Sequence, residues 1–109
     1  GYANVTPVGS IGIDNIYFMH SIAHVPNIKE VLIDLKKRYG AKITVISPNK
    51  YWLMLQNNNR YIPDPTVHEH YTSTTLRELF EDCGYKVTLQ GQFGDETTFV
   101  NERIFLQAI

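Results

Sequence analysis

Asp14-Asn15-Ile16-Tyr17-Phe18-Met19-His20-Ser21-Ile22-Ala23-His24-Val25-Pro26-Asn27 is the stretch that decides the fold. It opens as an apolar run, passes into polar residues and two histidines, and then meets a helix-start signal. An apolar run bounded by turn chemistry predicts a strand over Asn15 to His20, buried on both faces as in parallel sheets flanked by helices. In open α/β sheets, ligands bind just past the carboxyl ends of such strands. His20, Ser21 and His24 therefore stand where chemistry is expected.

Downstream, Pro26-Asn27-Ile28-Lys29-Glu30 offers Asn27 as a helix cap, with Glu30 three residues on to close a capping box. Ile28, Val31, Leu32, Leu35 and Tyr39 recur at helical spacing between charged residues, and Gly40 supplies the left-handed stop. Lys42 to Ser47 is a β-branched run ended by Pro48-Asn49, a second buried strand. Strand, helix and strand make a parallel βαβ unit, so His20-Ser21 and Pro48-Asn49 open on one rim.

From Lys50 to Tyr71 the rhythm breaks. Tyr51 to Leu55 predicts a turn or two of helix, Asn57 to Arg60 is polar, and two prolines frame Asp64. A connection of this length in a compact domain is usually functional, and 50–71 is expected to cover the substrate side. Thr72 then caps a helix over Ser73 to Cys83, striped by Leu76, Leu79, Phe80 and Cys83 and ended by Gly84. Lys86 to Phe93 alternates as a half-exposed strand does. Gly94-Asp95-Glu96 is expected to turn the chain into a closing strand, Thr98 to Ala108, making an antiparallel hairpin at the sheet's end.

With 109 residues, 43% hydrophobic and 19% charged, the chain is expected to form a single domain, residues 1–109, with 1–13 as a lead-in loop. A net charge of −1 without clustered Lys or Arg argues against a nucleic-acid surface. No run approaches the roughly 20 apolar residues of a membrane span, and the first dozen residues lack a signal-peptide pattern. A soluble, cytoplasmic protein is the expectation. A lone cysteine, Cys83, excludes a disulfide framework and a cysteine-based zinc site, and its place on an apolar stripe predicts a buried thiol.

The order strand, helix, strand, long loop, helix, hairpin resembles the C-terminal half of class I S-adenosylmethionine-dependent methyltransferases. Asp14 to Tyr17 with His20-Ser21-Ile22-Ala23-His24-Val25 resembles that family's fourth strand, and Ser47-Pro48-Asn49 the threonine-proline-asparagine end of its fifth. Tyr61 to Thr66 with His68, His70 and Tyr71 resembles the segment before its penultimate helix. Leu76 to Val87, closing on Cys83-Gly84-Tyr85-Lys86-Val87, resembles that helix and its exit. The resemblance implies an α/β, partial Rossmann-like sheet (β-α-β-loop-α-β-β, last hairpin antiparallel). It also implies methyl transfer from S-adenosylmethionine to a small-molecule acceptor.

Two departures stand out. No glycine-rich loop follows a strand and no acidic residue ends one, the two devices by which this kind of fold holds its cofactor backbone and ribose. Ala23 also stands where the family usually carries a glutamate. The N-terminal cofactor-binding strands are thus expected to be missing from this chain, which would act as part of a larger or completed enzyme. The alternative is a non-catalytic fragment or subunit working through oligomerisation.

By resemblance, His20 and Ser21 lie beside the cofactor; their other reading is as two polar residues satisfying the strand-to-loop turn. His24 is the candidate base for an acceptor hydroxyl, since imidazole titrates near neutral pH; a structural bond around Pro26 is its other reading. Asn49 is a candidate for a substrate or loop-ordering hydrogen bond. Tyr51, Trp52, Arg60 and Tyr61 are candidates to line an acceptor pocket, and His68 and His70 to touch substrate or anchor the loop. His-x-His lacks a third ligand at motif spacing, so no metal site is expected. The strand 15–20 would be a bare apolar edge, which proteins rarely leave uncovered, so pairing across it with a second copy or a complementary chain is expected.

Overall fold

The computed structural model describes residues 14–56, 67–97 and 100–109. The 1–13 lead-in and the 57–66 stretch, including Arg60 and Tyr61, lie outside the described residues.

The elements run β1 (Asn15–Met19), a 3₁₀ turn (Ile22–His24), α1 (Ile28–Tyr39), β2 (Lys42–Pro48), α2 (Lys50–Gln56), α3 (Ser73–Asp82), β3 (Val87–Thr97) and β4 (Val100–Ala108). They form a four-stranded sheet in the order β1-β2-β4-β3. β1 and β2 are parallel, with Phe18 opposite Val45; β2–β4 and β4–β3 are antiparallel. The chain is a mixed α/β fold, as the sequence predicts. The antiparallel hairpin stands at the sheet's end, as expected. Its second strand inserts beside β2 and leaves β3 on the outside, because Ile104, Leu106 and Ala108 are fully buried while Leu89 of β3 is exposed.

The helices follow from their stripes. Leu32 and Leu35 of α1 and Leu76, Leu79 and Phe80 of α3 pack with Ile16, Phe18, Ile43, Val45, Ile104 and Leu106 into one core. Burying each of these side chains contributes about 1.5–3 kcal/mol. The Tyr85 hydroxyl donates to the Leu32 carbonyl at 2.7 Å, tying the exit of α3 to α1. Thr72 and Thr75 cap α3 reciprocally, at 2.8 and 3.1 Å. Gly40 (φ +58°) ends α1 as expected, its N–H bonding the Lys36 carbonyl at 3.0 Å.

Three expectations change. β1 is buried on one face only: Ile16 and Phe18 point into the core, whereas Tyr17 and Met19 are 57% and 53% exposed. The core cluster draws both α1 and α3 onto the Ile16–Phe18 face, and among the described residues the other face of β1 is left open. Asn27 does not cap α1 through its side chain. It adopts a left-handed conformation (φ 54°, ψ 38°) in the turn after Pro26, and its carbonyl accepts from the Val31 N–H instead. Finally, Gly94-Asp95-Glu96 is no hairpin turn. Gly94 (φ +95°) sits where the β3–β4 register shifts, between Phe93 and Glu96, and the ladder continues to Thr97 opposite Val100. No helix among the described residues is long and apolar enough to cross a membrane.

Candidate functional site

The parallel β1–β2 pair brings its two carboxyl ends to one rim. The His20 N–H continues the ladder by donating to the Ile46 carbonyl at 2.8 Å, and His20 then turns the chain with a positive φ of 60°. For a β-branched or bulky residue such a conformation is an outlier, although histidine is among the types that reach it more often. It diverts the chain from the sheet into the 3₁₀ turn, whose Ala23 is buried and whose His24 is exposed.

Asn49 organises the other strand end. It is 1% exposed, and its polar side-chain atoms are all engaged within the chain. Oδ1 accepts from the Tyr51 N–H at 3.1 Å, capping α2. Nδ2 donates to the Asn101 carbonyl at 3.0 Å and to Gln92 Oε1 at 3.3 Å. Its backbone N–H bonds the Glu102 carbonyl at 2.8 Å, and the following Lys50 N–H bonds the Tyr71 carbonyl at 3.0 Å. Of the two sequence readings of Asn49, this geometry is that of the loop-ordering bond.

The segment returning at Val67 is docked by its backbone. The His68 and Glu69 N–H groups both donate to the Ala23 carbonyl, at 2.8 and 3.0 Å. His68 is itself exposed. These bonds bring the His20–His24 turn, the start of α2 and residues 68–71 together.

α2 separates two clefts. On one side lies a cleft of about 220 Å³ lined by His20, Pro48, Trp52, Leu53, Glu102 and Arg103. On the other, a broader one of about 420 Å³ includes Lys50, Tyr51, Met54, His70 and the threonines opening α3. Tyr51 and Met54, three apart, face one way; Trp52 and Leu53 face the other, as helical spacing demands. Thus Tyr51 and His70 share the larger cleft, whereas His20 lines the smaller. His24 is not among the residues lining either. Glu102 and Arg103 were not singled out from the sequence. They reach the rim only because β4 lies beside β2, a long-range relationship that local pattern does not reveal.

Ser21 Oγ, Ser47 Oγ and Trp52 Nε1 are buried without hydrogen-bond partners among the described residues. His20 lines the smaller cleft, and Ser21 lines neither of the two. The glycines Gly40, Gly84, Gly91 and Gly94 follow helices or sit in β3, and none follows a parallel strand. No group of three His, Cys, Asp or Glu among the described residues is arranged to hold a metal ion.

Burial raises two phenols. Tyr71 is pushed up to about 12, chiefly by desolvation and further by Glu69. Tyr85 is pushed up to about 12 by desolvation, with Cys83 adding. The Cys83 thiol is buried, and desolvation raises it too, Asp82 adding and Lys29 opposing. None of the three is poised as a base or nucleophile near neutral pH.

No protein-family model and no curated protein matches the chain. Solved structures do. A small RNA methyltransferase superposes with a TM-score of 0.68 at 13% identity, over 88% of this chain and 14% of that one. A SAM-dependent methyltransferase from Methanosarcina mazei gives 0.65 at 16%, over 94% and 62%. Magnesium protoporphyrin IX methyltransferase from Synechocystis, with SAH bound, gives 0.59 at 13%, over 94% and 47%. The chain has the fold of part of these SAM-dependent methyltransferases, and spans 14% to 62% of their lengths.

Proposed function

We propose that these 109 residues form the acceptor side of an S-adenosylmethionine-dependent methyltransferase acting on a small molecule, as part of a longer or completed enzyme. The observation that carries this reading is the rim at His20. There the parallel strand ends in a left-handed residue beside a cleft walled by Trp52, Leu53 and Pro48, within a sheet shared with solved methyltransferases.

When bound, the cofactor supplies a methyl group on a sulfonium, open to in-line displacement by a nucleophile. The chain's part is to hold the acceptor in line and keep water out, since alignment supplies much of the rate in such transfers. Pro48, Trp52 and Leu53 give the dry wall. His20, at the strand end and lining the same cleft, is proposed to stand on the cofactor side. His24 is the proposed base for acceptors that must lose a proton. Tyr51 and His70, with Arg60, Tyr61 and His68 of the same segment, are proposed to hold the distal part of the acceptor. A cleft of about 220 Å³ and a net charge of −1 favour a small acceptor over a polynucleotide.

A second reading, in which the chain is non-catalytic and works by association, is favoured by one observation. β1 has a partner on one side only among the described residues, and the face carrying Tyr17 and Met19 is exposed. In either reading we propose that this edge is covered by further polypeptide or a second copy.

Calorimetry separates the parts of this proposal. Titrating S-adenosylmethionine into the 109-residue chain is expected to give no measurable heat, and into the protein at full natural length a clear isotherm. Micromolar binding by the short chain would overturn its incompleteness. Absence of binding at full length would overturn the cofactor.

A further inference from the structure

A third cleft, of about 210 Å³, lies between the start of α1 and one face of α3. Thr75, Glu78, Leu79 and Asp82 line it at helical spacing, so one stripe of α3 carries two carboxylates a turn apart beside an apolar residue. Ile28 and Lys29 of α1 face them, and Glu69 and Tyr71 complete the lining. Lys29 Nζ is already matched to Asp82, at 3.6 Å. Glu69 and Glu78 are exposed, and neither forms an ion pair among the described residues. Tyr71 adds a polar group of another kind. It is 3% exposed, yet it lines the cleft. Its hydroxyl makes no hydrogen bond among the described residues. Nor is it one of the wholly enclosed unpartnered atoms there, which are Ser21 Oγ, Ser47 Oγ, Trp52 Nε1 and Ser73 Oγ. An otherwise buried side chain thus opens an unsatisfied polar tip to the cleft, and such groups ordinarily have a partner.

We infer that this cleft binds a short aliphatic amine, its ammonium held by Glu69, Glu78 and the Tyr71 hydroxyl and its alkyl chain lying along Ile28 and Leu79. Two carboxylates without a cation call for positive charge. Among the described residues no group of three His, Cys, Asp or Glu is arranged for a metal ion, and a metal ion gains nothing from the apolar lining, whereas methylenes do. The Tyr71 phenol, pushed up to about 12 by burial and by Glu69, keeps its proton and offers its oxygen as an acceptor. The volume lies below the roughly 300–1,000 Å³ of drug-sized ligands and suits a chain of a few methylenes. The cleft shares Glu69 and Thr75 with the broader one beside α2 and no residue with the smaller. The inference does not rest on the methyltransferase reading.

The probes are 1,4-diaminobutane and 1,4-butanediol, titrated into the 109-residue chain and followed by backbone-amide NMR shifts. The diamine is expected to bind saturably and to move the amides of Glu69, Tyr71 and Glu78; the diol, of like shape but uncharged, should leave them in place. Glu69→Gln combined with Glu78→Gln should weaken the diamine at least about tenfold, as loss of charge-assisted hydrogen bonds implies. Tyr71→Phe, which keeps the ring and removes the hydroxyl, should weaken it about threefold. Glu81→Gln removes an exposed carboxylate of α3 outside the cleft and should change the affinity less than about twofold. Circular dichroism checks that each variant folds. Equal binding of the diol, full affinity in the Glu69–Glu78 double variant or in Tyr71→Phe, or a loss in Glu81→Gln as large as in the double variant overturns the inference. An arm with N-acetyl-lysine amide separates the two sources of such a chain: tighter binding of the diamine assigns a free polyamine, and tighter binding of the lysine derivative assigns a partner's side chain.

Discussion

The side-chain amide of Asn49 donates to the backbone carbonyl of Asn101 at 3.0 Å, joining the end of β2 to the start of β4. With Oδ1 capping α2 at Tyr51, one buried residue fixes three elements of the rim. Asn49→Ala should therefore lose about 2 kcal/mol of unfolding free energy, combining a lost cap with an unpaired, part-buried carbonyl. Asn49→Asp keeps the cap acceptor but cannot donate to Asn101, and should also be less stable. Urea denaturation reads both. An Asn49→Ala chain with an unchanged midpoint would mean that the residue serves ligand and not fold.

Gly91 leaves room for a ring. A Cβ at this position would lie 2.6 Å from the Phe105 ring across the β3–β4 ladder. Gly91→Ala should destabilise by about 1–3 kcal/mol through overpacking. Adding Phe105→Leu should recover part of that loss. A double-mutant cycle with no coupling between the two sites would contradict the contact.

Much of this was legible in the sequence. Leu32 and Leu35, then Leu76, Leu79 and Phe80, announce their helices because a helical stripe has only one way to be buried. Gly40 and Gly84 mark their ends. The His20 rim was equally readable, since a parallel pair puts both carboxyl ends together. What escaped depends on relations that local pattern does not carry. The apolarity of Ile16 to Met19 does not say which face a helix will cover. Asn27 is a cap residue by type, but Pro26 before it favours a turn with a left-handed second position. Gly94 signals a positive φ, which a bulge needs as much as a hairpin turn. Glu102 and Arg103 join the cleft only through the insertion of β4 beside β2.

Tyr71 and Tyr85 predict an alkaline signature. Both phenols are raised to about 12 in the folded chain, against about 10 unfolded. The folded state then holds more protons than the unfolded one above pH 10, so stability falls as pH rises from 10 through 12. Their contribution is fully present below pH 10. Absorbance at 295 nm should show a late-ionising component among the seven tyrosines, diminished in Tyr85→Phe and absent in urea. Uniform titration near pH 10 in the folded chain would contradict the burial of both.

The open face of β1 predicts association. Tyr17 and Met19 stand exposed beside a strand edge with no partner among the described residues, a template for further pairing. Sedimentation should show concentration-dependent self-association of the 109-residue chain. Tyr17→Glu combined with Met19→Lys should reduce it without loss of secondary structure. A stable monomer at high concentration in the unaltered chain would contradict a covered edge.

The central claim is that the His20–Trp52 rim presents a small acceptor for methylation. Its most direct test follows the label from methyl-tritiated S-adenosylmethionine in a single turnover of the full-length protein, with a pool of small-molecule acceptors and RNA offered together. The predicted result is label in the small-molecule fraction, reduced at least about tenfold in Trp52→Ala and unchanged in the distant surface variant Leu89→Ala. Label entering RNA, or equal transfer by the wild-type and Trp52→Ala proteins, would contradict it.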